Sequence, residues 1–247
     1  MDRMVYLAMT GAKHALEAQQ NTSNNLANAQ TPGFRADLDS ILSRPVQGPG
    51  YPSRVYSEET RMGSDFTQGQ IMETGRELDV AVNGSGWLTV QASDGTEAYT
   101  RRGDLRITSG GLLETGDGHM VMGNNGPIAV PPAQKIEVGG DGTISIVPVG
   151  QPANAMVQVD RIRLVDPAQN TLQKGEDGLF RLRGGGNAAA SAQVKLTSGA
   201  LEGSNVNTVD ALVQLIDNQR RYEAQVKLMQ NARKNDENSQ RLLRTSG

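Results

Sequence analysis

Small and apolar residues near the start of the chain recur at alternating steps of three and four. Val5, Ala8, Ala12, Ala15, Gln19, Thr22, Leu26 and Ala29 fall on one line, the spacing of a helical seam of the coiled-coil type. Pro32 disfavours the α conformation in the residue before it, so this helix is predicted to end at or near Thr31. Thr31-Pro32-Gly33-Phe34 then fits a type II turn, with proline at the second position and glycine supplying the positive φ at the third. A second seam closes the chain. Beyond Ser204, Asn205 and Asn207, each of which offers a capping oxygen, the series Leu212, Leu215, Gln219, Tyr222, Val226, Met229, Arg233, Asp236, Gln240, Leu243 keeps the same period. The two helices would be about 40 and about 55 Å long, more than a small globular domain usually needs.

Between them the texture changes. Asn83-Gly84, Asp94-Gly95, Asp117-Gly118, Asn125-Gly126, Asp141-Gly142 and Asp177-Gly178 are six hairpin signals set between β-prone runs such as "ELDVAV", "GWLTVQA", "GTISIV" and "RIRLV". The pattern predicts a mainly β, antiparallel, hairpin-rich central domain flanked by long N- and C-terminal α-helices that pair as a coiled coil. The expected boundaries are residues 1–31 for the first helix, 32–73 for a turn and extended linker with short strands, 74–203 for the β domain and 204–247 for the second helix.

Both seams are poor in large apolar groups. Alanine dominates the first, and Gln219, Arg233, Asp236 and Gln240 occupy the second where a strong two-helix coil would place Leu or Ile. At about 25 cal/mol per Å² buried, such seams hold little on their own. The stretch "NTSNNLANAQTPGF" adds four asparagines, Asn21, Asn24, Asn25 and Asn28, to a helix. Amides donate and accept at once, so they suit contacts with adjacent chains packed closely side by side. They equally suit a solvated face that frays towards a turn. Both readings stand at this level.

Composition narrows the function. Nine aromatic residues against 29 glycines and 10 prolines in 247 positions point to a core of small aliphatics and many turns. The net charge of −3 comes from 24 basic and 27 acidic residues spread along the chain, with no basic stripe for nucleic acid or anionic lipid. The opening apolar run, Met4 to Met9, is too short for a cleaved signal peptide or a membrane span. Cysteine is absent, which removes disulfides, thiolate metal sites and thiol nucleophiles, and suits a chain that passes from a reducing to an oxidising compartment.

No catalytic constellation is readable. The two histidines, His14 and His119, have no placed serine nucleophile, and "RGGGNAAAS" lacks the Lys-Ser/Thr ending of a phosphate loop. "GGDGTI" lacks the remaining oxygen ligands of a calcium loop. No catalytic, cofactor-binding or metal site is therefore expected. The rival reading, a periplasmic cell-wall hydrolase, finds acidic pairs but few aromatic residues to line a sugar cleft.

Three ordered motifs carry a likeness. "NNLANAQTPGF" near the start, "LDVAVNGSGWLTVQ…YTRRGDL" with "GPIAVP" in the middle, and "LEGSNVNTVDALVQLIDNQRRYEAQVKLMQ" near the end resemble the axial proteins of the bacterial flagellum, the rod and hook family. "MDRMVYLAMTGA", "TPGFRADL" with Arg35, and "SRPVQGPGYPSR" are more similar to the proximal rod branch than to the distal one, which stays as the alternative. The resemblance implies a non-enzymatic structural subunit, exported unfolded by the flagellar type III apparatus without a cleaved signal. Such a subunit polymerises into a hollow, periplasm-spanning rod in the basal body that transmits torque and encloses the export channel. Its implied partners are other proximal and distal rod proteins, copies of itself and the export apparatus, with no cofactor. The residues expected at assembly contacts are Val5, Ala8, Ala12, Ala15, Gln19, Asn24, Asn25, Leu26 and Asn28 on the first helix. On the second they are Leu212, Leu215, Tyr222, Val226 and Met229. Pro32, Gly33, Phe34, Gly203 and Asn205 are expected to shape the turns beside the helices.

Overall fold

A computed structural model describes residues 2–45, 55–152 and 154–245. The described chain divides into two compact units, one made of residues 1–27, 37–63 and 206–247, the other of 28–36 and 64–205.

The first unit holds helix α1 (Asp2–Ala27), helix α2 (Thr208–Thr245), and strands β1 (Asp37–Pro45) and β2 (Val55–Ser64), which pair as a two-stranded sheet. The two helices pack on each other. Asn207 begins α2: its side-chain oxygen accepts from the Val209 amide at 3.0 Å, and its carbonyl accepts from Ala211 at 2.9 Å. That is the Asn cap the sequence offered. Helix α1 stops at Ala27, four residues earlier than proline alone requires. Asn28 ends it by turning the chain, its carbonyl accepting from the Thr31 amide at 3.1 Å and its side-chain oxygen from the Thr31 hydroxyl at 3.2 Å. The expected linker holds strands of 9 and 10 residues rather than short ones. Its residues 46–54 lie outside the described ones.

The second unit is antiparallel β throughout its sheets. Its strands are β3 (Ile71–Glu73), β4 (Val80–Asn83), β5 (Trp87–Gln91), β6 (Glu97–Thr100), β7 (Leu105–Ile107), β8 (Leu113–Thr115), β9 (Met120–Val121), β10 (Ala133–Val138), β11 (Thr143–Pro148), β12 (Val157–Arg161), β13 (Leu164–Val165), β14 (Leu172–Lys174), β15 (Phe180–Leu182), β16 (Lys195–Ser198) and β17 (Ala200–Glu202). The main sheet runs β14-β15-β6-β5-β9-β8-β7, with β13 also on β5, and β10-β11-β12 forms a second sheet. Strand β16 pairs with β4, and β17 with β3, so residues 71–73 of the expected linker belong to the β unit.

All six Asx-Gly glycines take positive φ. The four Asp-Gly pairs close the β5–β6, β8–β9, β10–β11 and β14–β15 hairpins. Asp94, Asp141 and Asp177 each accept the amide two residues on, at 2.9, 3.1 and 3.1 Å, the Asx-turn geometry that makes aspartate suited there. Asn83-Gly84 turns the chain without closing a hairpin, because β4 pairs with β16 across the unit. The core is aliphatic, built around Val80, Leu88, Leu105, Leu113, Ile128, Ile144 and Ile162. Trp87, Tyr99, Leu172 and Phe180 form a smaller aromatic cluster.

Candidate assembly surfaces

In the helical unit, contact between helices is made by the smallest side chains. Ala8, Ala12, Ala15 and Thr22 are buried on α1, and Ala211, Asn218 and Ala232 on α2. The buried α2 positions recur at seven and fourteen residues, one helical face under a heptad. A Cβ on Gly11 would lie 2.9 Å from the Gln225 side-chain amide carbon, so glycine there admits an amide from the other helix. Asn218 donates to the Thr22 hydroxyl at 3.3 Å, while that hydroxyl donates back to Ala18 carbonyl at 2.8 Å.

The predicted α1 seam residues sit at this contact: Ala8, Ala12 and Ala15 are buried, and Val5, Gln19 and Leu26 half-buried. On α2 the contact departs from the predicted seam at four positions. Leu215, Val226 and Met229 are half-buried, but Leu212, Gln219, Tyr222 and Arg233 are exposed, and the buried residues are the neighbours Ala211, Asn218 and Ala232. Pattern reading selected leucine and valine, whereas the buried positions of both helices among the described residues hold only alanine, threonine and an amide. Side chains at Asp236, Gln240 and Leu243 lie outside the described residues.

The large apolar groups therefore face outward. Tyr6, Leu7, Met9 and Leu16 on α1, and Val209, Leu212, Val213, Ile216 and Leu228 on α2, are exposed, Val209 at 66 % and Ile216 at 52 %. Contiguous apolar surface left exposed in this way is the kind that meets another molecule. Of the asparagines, Asn24 is exposed. Asn25 grips the start of β1 within its own chain, its amide donating to Asp37 carbonyl at 3.0 Å and its oxygen accepting from the Asp37 amide at 2.9 Å.

In the β unit, segment 28–36, which follows α1 in sequence, meets residues 202–205, which precede α2. The predicted turn is present: Gly33 has φ 68°, and Phe34 donates to Thr31 carbonyl at 3.3 Å. Gly33 donates to Glu202 carbonyl at 2.7 Å, and a Cβ on it would fall 2.3 Å from the Arg101 carbonyl carbon. Asn205 joins three stretches: its backbone amide donates to Phe34 carbonyl at 3.3 Å, its side-chain oxygen accepts from Ala36 at 2.8 Å, and its side-chain amide donates to Asp65 carbonyl at 2.8 Å. Gly203 donates to Gln70 carbonyl, and any side chain on Gly69 would strike the Gly203 oxygen. Lys174 donates to Arg35 carbonyl at 2.8 Å and lies 4.0 Å over the Phe34 ring.

At the centre sits Glu202, fully buried. One carboxylate oxygen accepts from Arg35 at 2.5 Å and from the Gly69 amide at 3.0 Å, the other from Arg101 at 2.9 Å. Arg101 also donates to Val82 and Gly84 carbonyls and lies 5.3 Å over the Trp87 ring. Burial pushes the Arg101 pKa down from the usual arginine range, and Glu202 opposes the shift. Arg35 Nε and Nη1 and Arg101 Nε make no hydrogen bond among the described residues. A cluster of this kind specifies an arrangement more than it adds net stability.

Sequence reasoning named Gly33, Phe34, Gly203 and Asn205 but missed Glu202 as the partner that Arg35 shares with Arg101. The available signal was alternation along β17: Ala200 and Glu202 share a face, so an inward Ala brings an inward carboxylate. Arg101 and Glu202 also lie in the motifs "YTRRGDL" and "LEGSN", and Arg35 in "TPGFRADL".

One unit of paired terminal helices with outward apolar faces, and a separate β unit whose two ends are clasped together, define a chain built to pack among others. Comparison with known proteins agrees. Residues 6–35 match the family described as flagella basal body rod protein, 81–146 the flagellar hook protein FlgE/F/G D1 domain, and 197–242 the flagellar basal body rod FlgEFG protein C-terminal family. The chain is 42 % identical to the flagellar basal-body rod proteins FlgF of Salmonella typhimurium and Escherichia coli, over the whole of both chains in each case. It is 30 % identical to the rod protein FlgG of Bacillus subtilis, covering 93 % of this chain and 94 % of that one. The chain belongs to the flagellar basal-body rod protein family.

Proposed function

We propose that this rod-family chain is a non-enzymatic structural subunit of the proximal rod, a segment of a hollow helical axle that transmits torque and encloses the export channel. Terminal regions 1–31 and 204–247 form its inner, coiled-coil layer, and the β region 74–203 lies outside them. Its neighbours are proximal and distal rod proteins and further copies of itself. It reaches the periplasm through the flagellar type III apparatus, without a cleaved signal. The observation that supports this reading is the outward apolar face of the two helices, which their own pairing leaves in water. The distal rod is the alternative, and 42 % identity to the FlgF proteins of Salmonella typhimurium and Escherichia coli, against 30 % to FlgG of Bacillus subtilis, favours the proximal position.

The test replaces Leu212 and Ile216 together with Asp in a strain lacking the native copy. The expected result is a protein that is exported with its β unit folded, yet absent from isolated basal bodies, in cells that do not swim. Normal swimming by that strain would remove the helix-face reading. Restored motility in a strain lacking its FlgG relative, but not in one lacking its FlgF relative, would move the chain to the distal rod.

A further inference from the structure

We propose that the Arg35–Glu202–Arg101 cluster is a latch that makes segment 28–36 and residues 202–205 one cooperative unit, so that the two ends of the β domain order and open together. Three backbone groups of the first segment are satisfied by the second. Gly33 donates to Glu202 carbonyl, Phe34 carbonyl accepts from Asn205, and the Ala36 amide donates to the Asn205 side chain. The second depends on the first in turn: with 28–36 displaced, Glu202 keeps Arg101 and Gly69 but loses Arg35, and Asn205 loses two of its partners. Residues 35 and 202 lie 167 positions apart, so the latch joins the two sequence ends of the β unit.

Opening residues 202–205 alone leaves the Arg35 and Arg101 guanidiniums buried without their shared carboxylate, and opening 28–36 alone takes a charge-assisted hydrogen bond from buried Glu202 and leaves the Glu202 carbonyl and the Asn205 amide and side-chain oxygen without their partners. Local openings in proteins follow such groupings. The latch thereby ties the residue that leads out of α1 to the residue that leads into α2. A subunit cannot present one ordered helix root without the other. This holds whether or not the chain builds a rod.

Amide hydrogen exchange on the isolated full-length protein tests it. Wild-type Gly33, Gly69, Gly203 and Asn205 amides are expected to exchange at matching opening free energies, below that of core amides Leu113, Ile128 and Val130. Asn205→Ala removes side-chain bonds to Ala36, Asp65 and Thr67 only. It is nevertheless expected to speed exchange at Gly33 and Gly203, which that side chain does not touch, by about tenfold or more. The three core amides are expected to stay within about twofold. Glu202→Gln should do the same more strongly. Unchanged exchange at Gly33 and Gly203 in Asn205→Ala, or different wild-type opening energies for the two segments, would overturn the latch. Should Glu202→Gln fail to fold, Asn205→Ala decides the question alone.

Discussion

Single positions in the β unit show how narrowly the turns are specified. Gly33 sits at a φ that an L side chain rarely takes and touches the Arg101 backbone, which cannot yield as a flexible side chain can. Gly33→Ala is therefore expected to lower stability by about 2–4 kcal/mol, read from the urea midpoint with unchanged slope. A gentler effect belongs to Asp177. Its carboxyl pKa is held below the ordinary value first by the Arg181 guanidinium, at 2.7 Å, and then by the Leu179 amide. A depressed carboxyl stabilises the fold above its unfolded pKa and loses that contribution as pH falls through the folded one. Asp177→Asn should cost roughly 0.5 kcal/mol at neutral pH. The gap to wild type should close as pH falls through the depressed value. Asp94 and Asp141 are also lowered, first through their Thr96 and Thr143 hydroxyls, and Asp94 lies 3.9 Å from the same Arg181. A gap that persists in acid would mean that Asp177 acts through shape alone.

At the level of elements, local chemistry was readable and long-range chemistry was not. Asp-Gly turns, the Asn207 cap and the Thr31–Phe34 turn are written in consecutive residues, and the structure uses each as such. The α2 contact was misphased because hydrophobic period locates where leucine and valine fall. This helix turns Leu212 and Tyr222 outward, half-buries Leu215 and Val226, and lays Ala211, Asn218 and Ala232 inward. The Arg35–Glu202–Arg101 cluster was invisible because no local pattern announces a charge partner from a distant strand. Asn25 misled in the other direction: read as an interchain amide or a solvated one, it binds the start of β1. The phase of the helix pair can be checked directly, since the chain contains no cysteine. Thr22→Cys with Asn218→Cys is expected to crosslink within one chain through a short bifunctional thiol reagent, and Thr22→Cys with Gln219→Cys to do so far less. Equal yields would show that the helices lack a fixed rotation about each other.

For the molecule as a whole, the β unit's independence depends on where its chain is cut. Residues 202–205 look like a connector to the second helix, yet they carry the carboxylate and the amide that hold segment 28–36. A chain ended after Asn205 keeps every bond inside the β unit and should still unfold in one cooperative step. A chain ended after Gly199 loses β17, leaves Arg35 and Arg101 buried without their shared counter-charge, and should be less stable by about 3–5 kcal/mol or fail to fold. The sole tryptophan reports on both, because Trp87 packs against Phe66 and Phe180 with Arg101 over its ring. Thermal melts followed by its fluorescence should give a sharp transition for the first truncation and a broad or lowered one for the second. If the two melt alike, the ends of the β unit are held by backbone pairing elsewhere, and the buried ion cluster only decorates a junction that would form without it. If they differ as expected, the boundary of the folded unit lies beyond its last strand, at the asparagine that closes the latch.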